Sequence, residues 1–366
     1  MLKQVEVVEK LSLLSQEIKS QTENISDLVK STFLHETLKR PDYENTLSNF
    51  ISPLNRSHFL GNVNIEKCRI LTSAKRPLFL TWINSAEYAS YYQNYFELIF
   101  KHGDDLRQDM LTLQILKLMD LIWKNEGLDL KMQIYDCFST GCKTGFIEVI
   151  KEAMTLFKIQ MEGGIKGRYQ IDTNQLYKWL CQNNPNDKLE VIDNFTKSCA
   201  GFCVATFILG IGDRHPDNIM VNKEGRIFHI DFGHFLGHFK TKYGIKRERT
   251  PFVLTEDFTK VISKGSSNPI ETEEFKNFQS LCENAYMIVR RYSSLIVNLF
   301  ILMLSSDMPE LQSIEDIMFL RKTLAIDETD EKALEFFRQQ FVESYKNSFT
   351  TKLDWFAHAL NRKNLI

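Results

Sequence analysis

Gly212-Asp213-Arg214-His215-Pro216-Asp217-Asn218 and His229-Ile230-Asp231-Phe232-Gly233-His234 are the two runs around which the rest of this chain can be organised. Asn218 and Asp231 stand thirteen residues apart, and the interval from Ile219 to Ile230 is hairpin-like, so strand, turn and strand fill it. An amide and a carboxylate on the two arms of one hairpin are hard oxygen donors suited to a divalent metal. Asp213 and His215 precede the first arm on a loop facing the same point, where they can orient a hydroxyl and relieve it of its proton. A metal on nucleotide phosphates beside an activated hydroxyl is what phosphoryl transfer needs.

In protein kinases the catalytic Asp precedes the metal-binding Asn by five residues, the interval from Asp213 to Asn218, but their loop reads His-Arg-Asp. Here the order is Asp-Arg-His, and that reversal resembles the phosphoinositide 3-kinase superfamily. Two departures agree with it. No Gly-x-Gly-x-x-Gly loop occurs; its place is taken by Thr72-Ser73-Ala74-Lys75-Arg76-Pro77, where hydroxyls, amides and a lysine can face phosphates. No Val-Ala-Ile-Lys strand occurs either, and Ile99 to Asp109 instead sets a strand-end lysine, Lys101, before a helix carrying acids, one of which can pin the ammonium. A lone Asp-Phe-Gly or Asp-Arg-His is a chance tripeptide; their joint spacing behind Lys101 is what carries weight. His229 reads as structural, and His234, directly after Gly233, as a group of the cleft.

The bulk properties are compatible with such a protein. With 366 residues, 43% hydrophobic and only 8 prolines, the chain can bury one large core split into two lobes, or two ordinary domains. Lys and Arg number 45 against 47 acids, a net charge of -2, so nothing points to nucleic acid and any anion site must be local. Seven cysteines without a Cys-x-x-Cys spacing argue against a zinc ribbon or a redox centre, and Cys199 and Cys203 read as helix core. No secretory signal opens the chain, and the apolar run Ala200 to Ile211 is too short to span a bilayer. A reduced, soluble, cytoplasmic protein is expected.

The periodicity predicts an amphipathic helix from Val5 to about Leu28, its stripe made of Val5, Val8, Leu11, Leu14, Ile18 and Ile25. The sequence starts almost inside this helix, as a piece of a longer chain would. Ile65–Leu71, Pro77–Trp82, Tyr95–Lys101, Met132–Ile134 and Gly145–Val149 have strand character, with a helix from about Leu106 to Trp123 among them. Beyond Lys151 the pattern is mostly helical. The expectation is an α+β, bilobal protein-kinase-like fold with a small strand-rich N-lobe and a large helical C-lobe. Its divisions would be 1–40, the end of a helical accessory region; 41–150, the N-lobe with its hinge; and 151–366, the C-lobe.

Ser52 to Asn55, Ser73 to Leu78, Lys101 to Leu111, Ser198 to Asn218, the Asp231 segment, Arg247 to Thr255 and Met308 to Gln312 all resemble class I phosphoinositide 3-kinase catalytic subunits, alpha-like in character. The resemblance implies ATP with Mg2+ or Mn2+, and a lipid 3-hydroxyl as acceptor, that of phosphatidylinositol 4,5-bisphosphate, of phosphatidylinositol or of its 4-phosphate. It implies Ser73, Lys75 and Lys101 at the nucleotide phosphates, Asp109 and Tyr135 in the inner ATP pocket, Glu148 and Ile150 at the adenine through their backbone, and Met220 and Ile230 packing below. Asp213 and His215 would serve the lipid hydroxyl, Asn218 and Asp231 the metal, and His234 the transferred phosphoryl. Phe79 departs from the tryptophan of the alpha-like members, which bears on inhibitor contacts. A regulatory subunit and a Ras-type GTPase are the partners expected through regions absent here, with recruitment to the plasma membrane.

Two rival functions share much of this constellation: an atypical Ser/Thr protein kinase of the same superfamily and a non-catalytic scaffold that retains the fold. Lys240, Lys242, Lys246, Arg247 and Arg249 put five bases within ten residues beyond Asp231, a concentration that a phosphorylated inositol ring needs and a peptide serine does not. Complete retention of Lys101, Asp213, Asn218 and Asp231 disfavours the scaffold. Near the end of the sequence, Leu353, Phe356, Ala357 and Leu360 form a helical stripe, and Trp355 points away from it, as an expected membrane anchor or, alternatively, as a packing residue covered by N-terminal domains outside this sequence.

Overall fold

The computed structural model of the chain describes residues 2–20, 27–73, 75–86, 94–163, 173–238, 241–242, 245–246 and 250–347. It forms two compact units, residues 1–113 with 135–150, and residues 114–134 with 151–366.

The first unit opens with three helices, α1 (Leu2–Ser20), α2 (Asp27–Leu38) and α3 (Pro41–Leu47). Its sheet contains β1 (Phe50–Ile51), β2 (Phe59–Val63), β3 (Arg69–Ile70), β4 (Leu78–Asn84), β5 (Tyr95–His102), β6 (Cys137–Gly141) and β7 (Thr144–Glu148). The strands run in the order β1-β2-β4-β5-β7-β6, with β3 beside β4, and every pairing is antiparallel. Leu78 to Trp82 of β4 are all buried, so this strand is covered on both faces and reads as an apolar run broken only by Thr81. Leu11, Leu14 and Ile18 of α1 share one core with Leu60, Trp82 and Phe100 of the sheet. The Trp82 indole N–H donates to Leu47 O at 2.7 Å, satisfying the one polar atom this side chain takes inside.

Several boundaries differ from the sequence expectation. Two helices stand where one was expected, α1 over Leu2–Ser20 and α2 over Asp27–Leu38, the second extending ten residues past Leu28, with residues 21–26 outside the described ones. Val5 is 51% exposed and Val7 takes its place inside, because Val7, Leu11, Leu14 and Ile18 lie on one side of the helix. Ile65 to Leu71 is no continuous strand: a 3-10 turn, Ile65–Lys67, precedes the two-residue β3. Met132 to Ile134 carries no strand either. The strands β1, β2 and β6 went unforeseen, being short or carrying Gly, Asn and Ser where apolar alternation should be.

Helix α4 (Arg107–Asn125) begins in the first unit and continues in the second, where the Trp123 indole donates to Ala285 O at 2.9 Å. The second unit then adds β8 (Ala153–Thr155), α5 (Leu156–Glu162), α6 (Gln175–Asn183), α7 (Lys188–Leu209), β9 (Ile219–Asn222) and β10 (Ile227–His229). The hairpin read from the sequence is β9–β10, and β8 pairs antiparallel with β9 to complete a three-stranded sheet. Further on lie β11 (Thr241–Lys242), β12 (Ile245–Lys246), α8 (Glu256–Ile262), α9 (Glu273–Arg291), α10 (Ser293–Met303), α11 (Ile314–Thr323) and α12 (Asp330–Lys346). The segment Leu353 to Leu360, expected as a helix, lies outside the described residues.

Every residue of α7 from Ser198 to Leu209 is buried, so its apolar run belongs to a core helix. Cys199 and Cys203 lie in it with their sulfurs 3.9 Å apart. Burial raises the Cys199 thiol well above its usual value. The helix stops at Gly210, whose φ of 56° places it in the left-handed region that closes helices. An added Cβ at Gly210 would lie 2.3 Å from the Phe319 ring and 2.6 Å from the Gly237 backbone nitrogen. This close approach lets Leu236 N donate to Leu209 O at 2.7 Å and Gly237 N to Gly210 O at 3.2 Å, laying the segment after Asp231 alongside the end of α7.

Candidate active site

The second unit gathers all five proposed catalytic residues at one end of the β9–β10 hairpin. Asn218 N donates to His215 O at 2.9 Å, the Asn218 side-chain amide donates to Asp213 O at 3.0 Å, and Ile230 N donates to Asn218 O at 3.0 Å. His234 joins them because Gly212 N donates to its carbonyl at 3.0 Å. Asp213 and Asp231 have φ values of 55° and 61°. Two acids in the sparsely populated left-handed region store about 1 kcal/mol or more each, which only a surrounding network can hold.

Arg214 supplies that network. Its Nε donates to Gly212 O at 2.8 Å, one terminal nitrogen to Ile230 O at 2.8 Å and Asn218 O at 3.4 Å, and the other to Asp231 O. One guanidinium thus ties the loop before the hairpin to the chain leaving it. The sequence named Arg214 only as part of a motif, since its partners are carbonyls, which no side-chain identity betrays. His229 is buried, its ring stacked on Phe202 at 5.0 Å with an interplanar angle of 5°. Burial, aided by Arg214, pushes its pKa well below the usual value, so it packs as a neutral ring.

Among the described residues, no group of three or more His, Cys, Asp and Glu side chains could hold a metal. A donor set of one carboxylate, Asp231, and one amide oxygen, Asn218, fits a hard divalent ion that keeps waters and shares substrate phosphates. The Asn218 nitrogen is engaged by Asp213 O, which leaves its oxygen on the opposite side of the amide. Met220 and Ile230 lie half-buried on the same hairpin.

The first unit carries the remaining candidates. Lys101, next to last in β5, has its ammonium 3.5 Å from Asp104, an acid of the turn before α4. Asp109, in the first turn of α4, and Tyr135 are buried. Cys137 reports how they converge: burial first, then Asp109, pushes its thiol up to about 12, with Lys101 opposing. Glu148 is committed to its own chain, accepting Asp136 N at 2.8 Å through Oε2 and giving its N–H to Asp136 O at 2.8 Å, so what it can offer a base comes from its backbone. Ser73 and Lys75 stand exposed on the β3–β4 loop, and Ile150 is half-buried after β7.

Two residues went unmarked. Lys19 of α1 donates to His102 O at 2.5 Å, and its pKa is lowered by burial, with Asp104 opposing and Lys75 contributing. It therefore stands in the field of the proposed phosphate-binding charges, 83 residues from its hydrogen-bond partner, with no local signal to reveal it. Glu310 is the other, bonded to His234. Of the basic cluster, Lys242 and Lys246 fall on β11 and β12, paired through Thr241 and Ile245, while Lys240 and Arg247 lie outside the described residues, as does Trp355.

A family model described as phosphatidylinositol 3- and 4-kinase matches residues 95–313, and the chain belongs to that family. Its fold is accordingly the bilobal kinase-like one, a strand-rich lobe and a helical lobe. Over 364 residues it is 43% identical to Phosphatidylinositol 3-kinase 1 of Dictyostelium discoideum, covering 98% of this chain and 22% of that protein. With Phosphatidylinositol 3-kinase 3 of the same organism it shares 45% identity over 318 residues, 86% of this chain and 18% of that protein. The chain spans about a fifth of the length of these curated relatives.

Proposed function

We propose that this chain is the catalytic part of a class I-like phosphoinositide 3-kinase, transferring the terminal phosphoryl of ATP to the 3-hydroxyl of phosphatidylinositol 4,5-bisphosphate, and also of phosphatidylinositol and its 4-phosphate. The observation that carries the proposal is the cluster of Asp213, Asn218 and Asp231, two of them at positive φ, held by Arg214 at one hairpin end in a chain of this family. Asp213 and His215 orient the lipid hydroxyl and take its proton; Lys101, Lys75 and Ser73 meet nucleotide phosphates; His234 meets the phosphoryl in transfer. Magnesium or manganese, held by Asn218 and Asp231, would neutralise charge on those phosphates. Recruitment from the cytoplasm to the plasma membrane, a regulatory subunit and a Ras-type GTPase belong to the same proposal.

Radiolabelled ATP offered with phosphoinositide vesicles and with peptide tests it. Label in the lipid alone supports the proposal. Label in peptide alone favours the atypical protein kinase, and label in neither favours the scaffold.

Substrate choice is assigned to Lys240, Lys242, Lys246 and Arg247. Reversing them to Glu should spare ATP hydrolysis and cost most on the bisphosphorylated lipid, least on phosphatidylinositol, since exposed charge pairs contribute about 0.2–1 kcal/mol each and the effect must accumulate. Equal losses on both lipids would sink the assignment. Trp355→Ala should weaken liposome binding and lipid phosphorylation together while leaving basal ATP hydrolysis unchanged or raised, because an indole at headgroup depth anchors the surface that meets the lipid. Unchanged cosedimentation with liposomes would return Trp355 to a packing role.

A further inference from the structure

His234 Nδ1 lies 2.6 Å from Glu310 Oε1, and the other carboxylate oxygen, Oε2, accepts the backbone N–H of Phe235 at 2.7 Å. The Glu310 side chain is 15% exposed and that of His234 30%. Met308 and Leu311, which flank Glu310, are both fully buried, and Leu311 N donates to Met308 O at 3.2 Å, so the acid is presented from an anchored turn. A second pair, His238 Nε2 with Asp316 Oδ1 at 2.8 Å, fastens the same segment four residues on, but Asp316 also accepts the N–H groups of Gln312 and Ser313 at the start of α11 and is accounted for as a cap. The Phe235 N–H that Glu310 accepts lies outside any helix.

A carboxylate only accepts hydrogen bonds. With Oε2 engaged by Phe235 and Oε1 facing Nδ1, the proton must sit on Nδ1. We infer that Glu310 is a positioning residue for phosphoryl transfer: it fixes the Nδ1 proton and the plane of the His234 ring, so that Nε2 is the atom presented to the reactants. The inference rests on the reading of His234 as the group that meets the transferred phosphoryl. With Nδ1–H held, the lone pair of the neutral ring lies on Nε2.

Glu310→Gln keeps the shape and reverses this polarity. Only the amide oxygen can accept Phe235 N–H, so the amide NH2 faces Nδ1 and donates to it. The ring hydrogen is then on Nε2, and the lone pair presented to the reactants is lost. We expect kcat to fall roughly 10²-fold with KM for ATP and for lipid unchanged, nitrogen chemical shifts of the His234 ring to show the proton moved from Nδ1 to Nε2, and Glu310→Asp to recover part of the rate. The double variant His234→Ala with Glu310→Gln should be no slower than His234→Ala alone. Wild-type kcat in Glu310→Gln beside an inactive His234→Ala overturns the inference and leaves the role of His234 standing. A fully active His234→Ala overturns that role and the inference with it, and a double variant slower than both singles places the action of Glu310 elsewhere. Independently of any variant, an Nδ1 found without its proton in the unaltered chain refutes the proposal.

Discussion

Asp231→Asn is expected to abolish turnover while leaving the fold intact. The carboxylate is the one charged donor in the proposed metal-binding pair, and removing preorganised stabilisation of developing charge costs roughly 10²–10³ in rate or more. The backbone at this position should not notice the change. Asp231 is exposed and held at φ 61°, a conformation that Asn adopts as readily as Asp. The bond from Arg214 goes to the Asp231 carbonyl, which the substitution leaves in place. Stability should therefore stay within about 0.5 kcal/mol of the parent, as for surface changes generally. Near-normal turnover of this variant at saturating magnesium would show that the metal is held elsewhere.

Gly210→Ala should be among the most damaging small substitutions in the second unit. A left-handed φ costs a Cβ-bearing residue roughly 1–2 kcal/mol. The methyl would also lie 2.6 Å from a backbone nitrogen, that of Gly237, and 2.3 Å from Phe319, and such overpacking adds about 1–3 kcal/mol. The total, roughly 2–5 kcal/mol, should appear as a lower urea midpoint at unchanged slope. Trimming Phe319 in the same chain should recover only the part due to the ring, since the Gly237 nitrogen stays. A loss below about 0.5 kcal/mol would mean that the two strands of chain separate freely.

How much of this was legible follows from the range of each interaction. The β9–β10 hairpin and the five residues around it span only Asp213 to His234, so spacing alone could place them. Strand β4 announced itself because burial on both faces leaves an apolar run with Thr81 as its one polar residue. The hidden parts are those made by distant segments or by the backbone. Glu310 meets His234 across 76 residues, Lys19 meets His102 across 83, and Arg214 acts on carbonyls. The helix expected to continue to Leu28 shows a different limit: periodicity marks a face, and Val5 fitted the stripe by spacing while Val7 met the core. The apolar face of that helix packs on the sheet of its own unit.

The Arg214 clamp also bears on which small molecules could select this kinase. Inhibitors that capture an inverted Asp-Phe-Gly segment need the aromatic residue to leave its pocket and the acid to turn over. Here Phe232 and Phe235 are both fully buried, and drawing out one such ring costs about 1.5–3 kcal/mol. The same turn would strip Arg214 of the carbonyls of Ile230 and Asp231 and separate Leu236 from Leu209. The inverted form is correspondingly scarce, and the expected source of selectivity is instead the Phe79 position, which the resemblance ties to inhibitor contacts and whose ring face is covered by the Arg69 guanidinium at 3.5 Å.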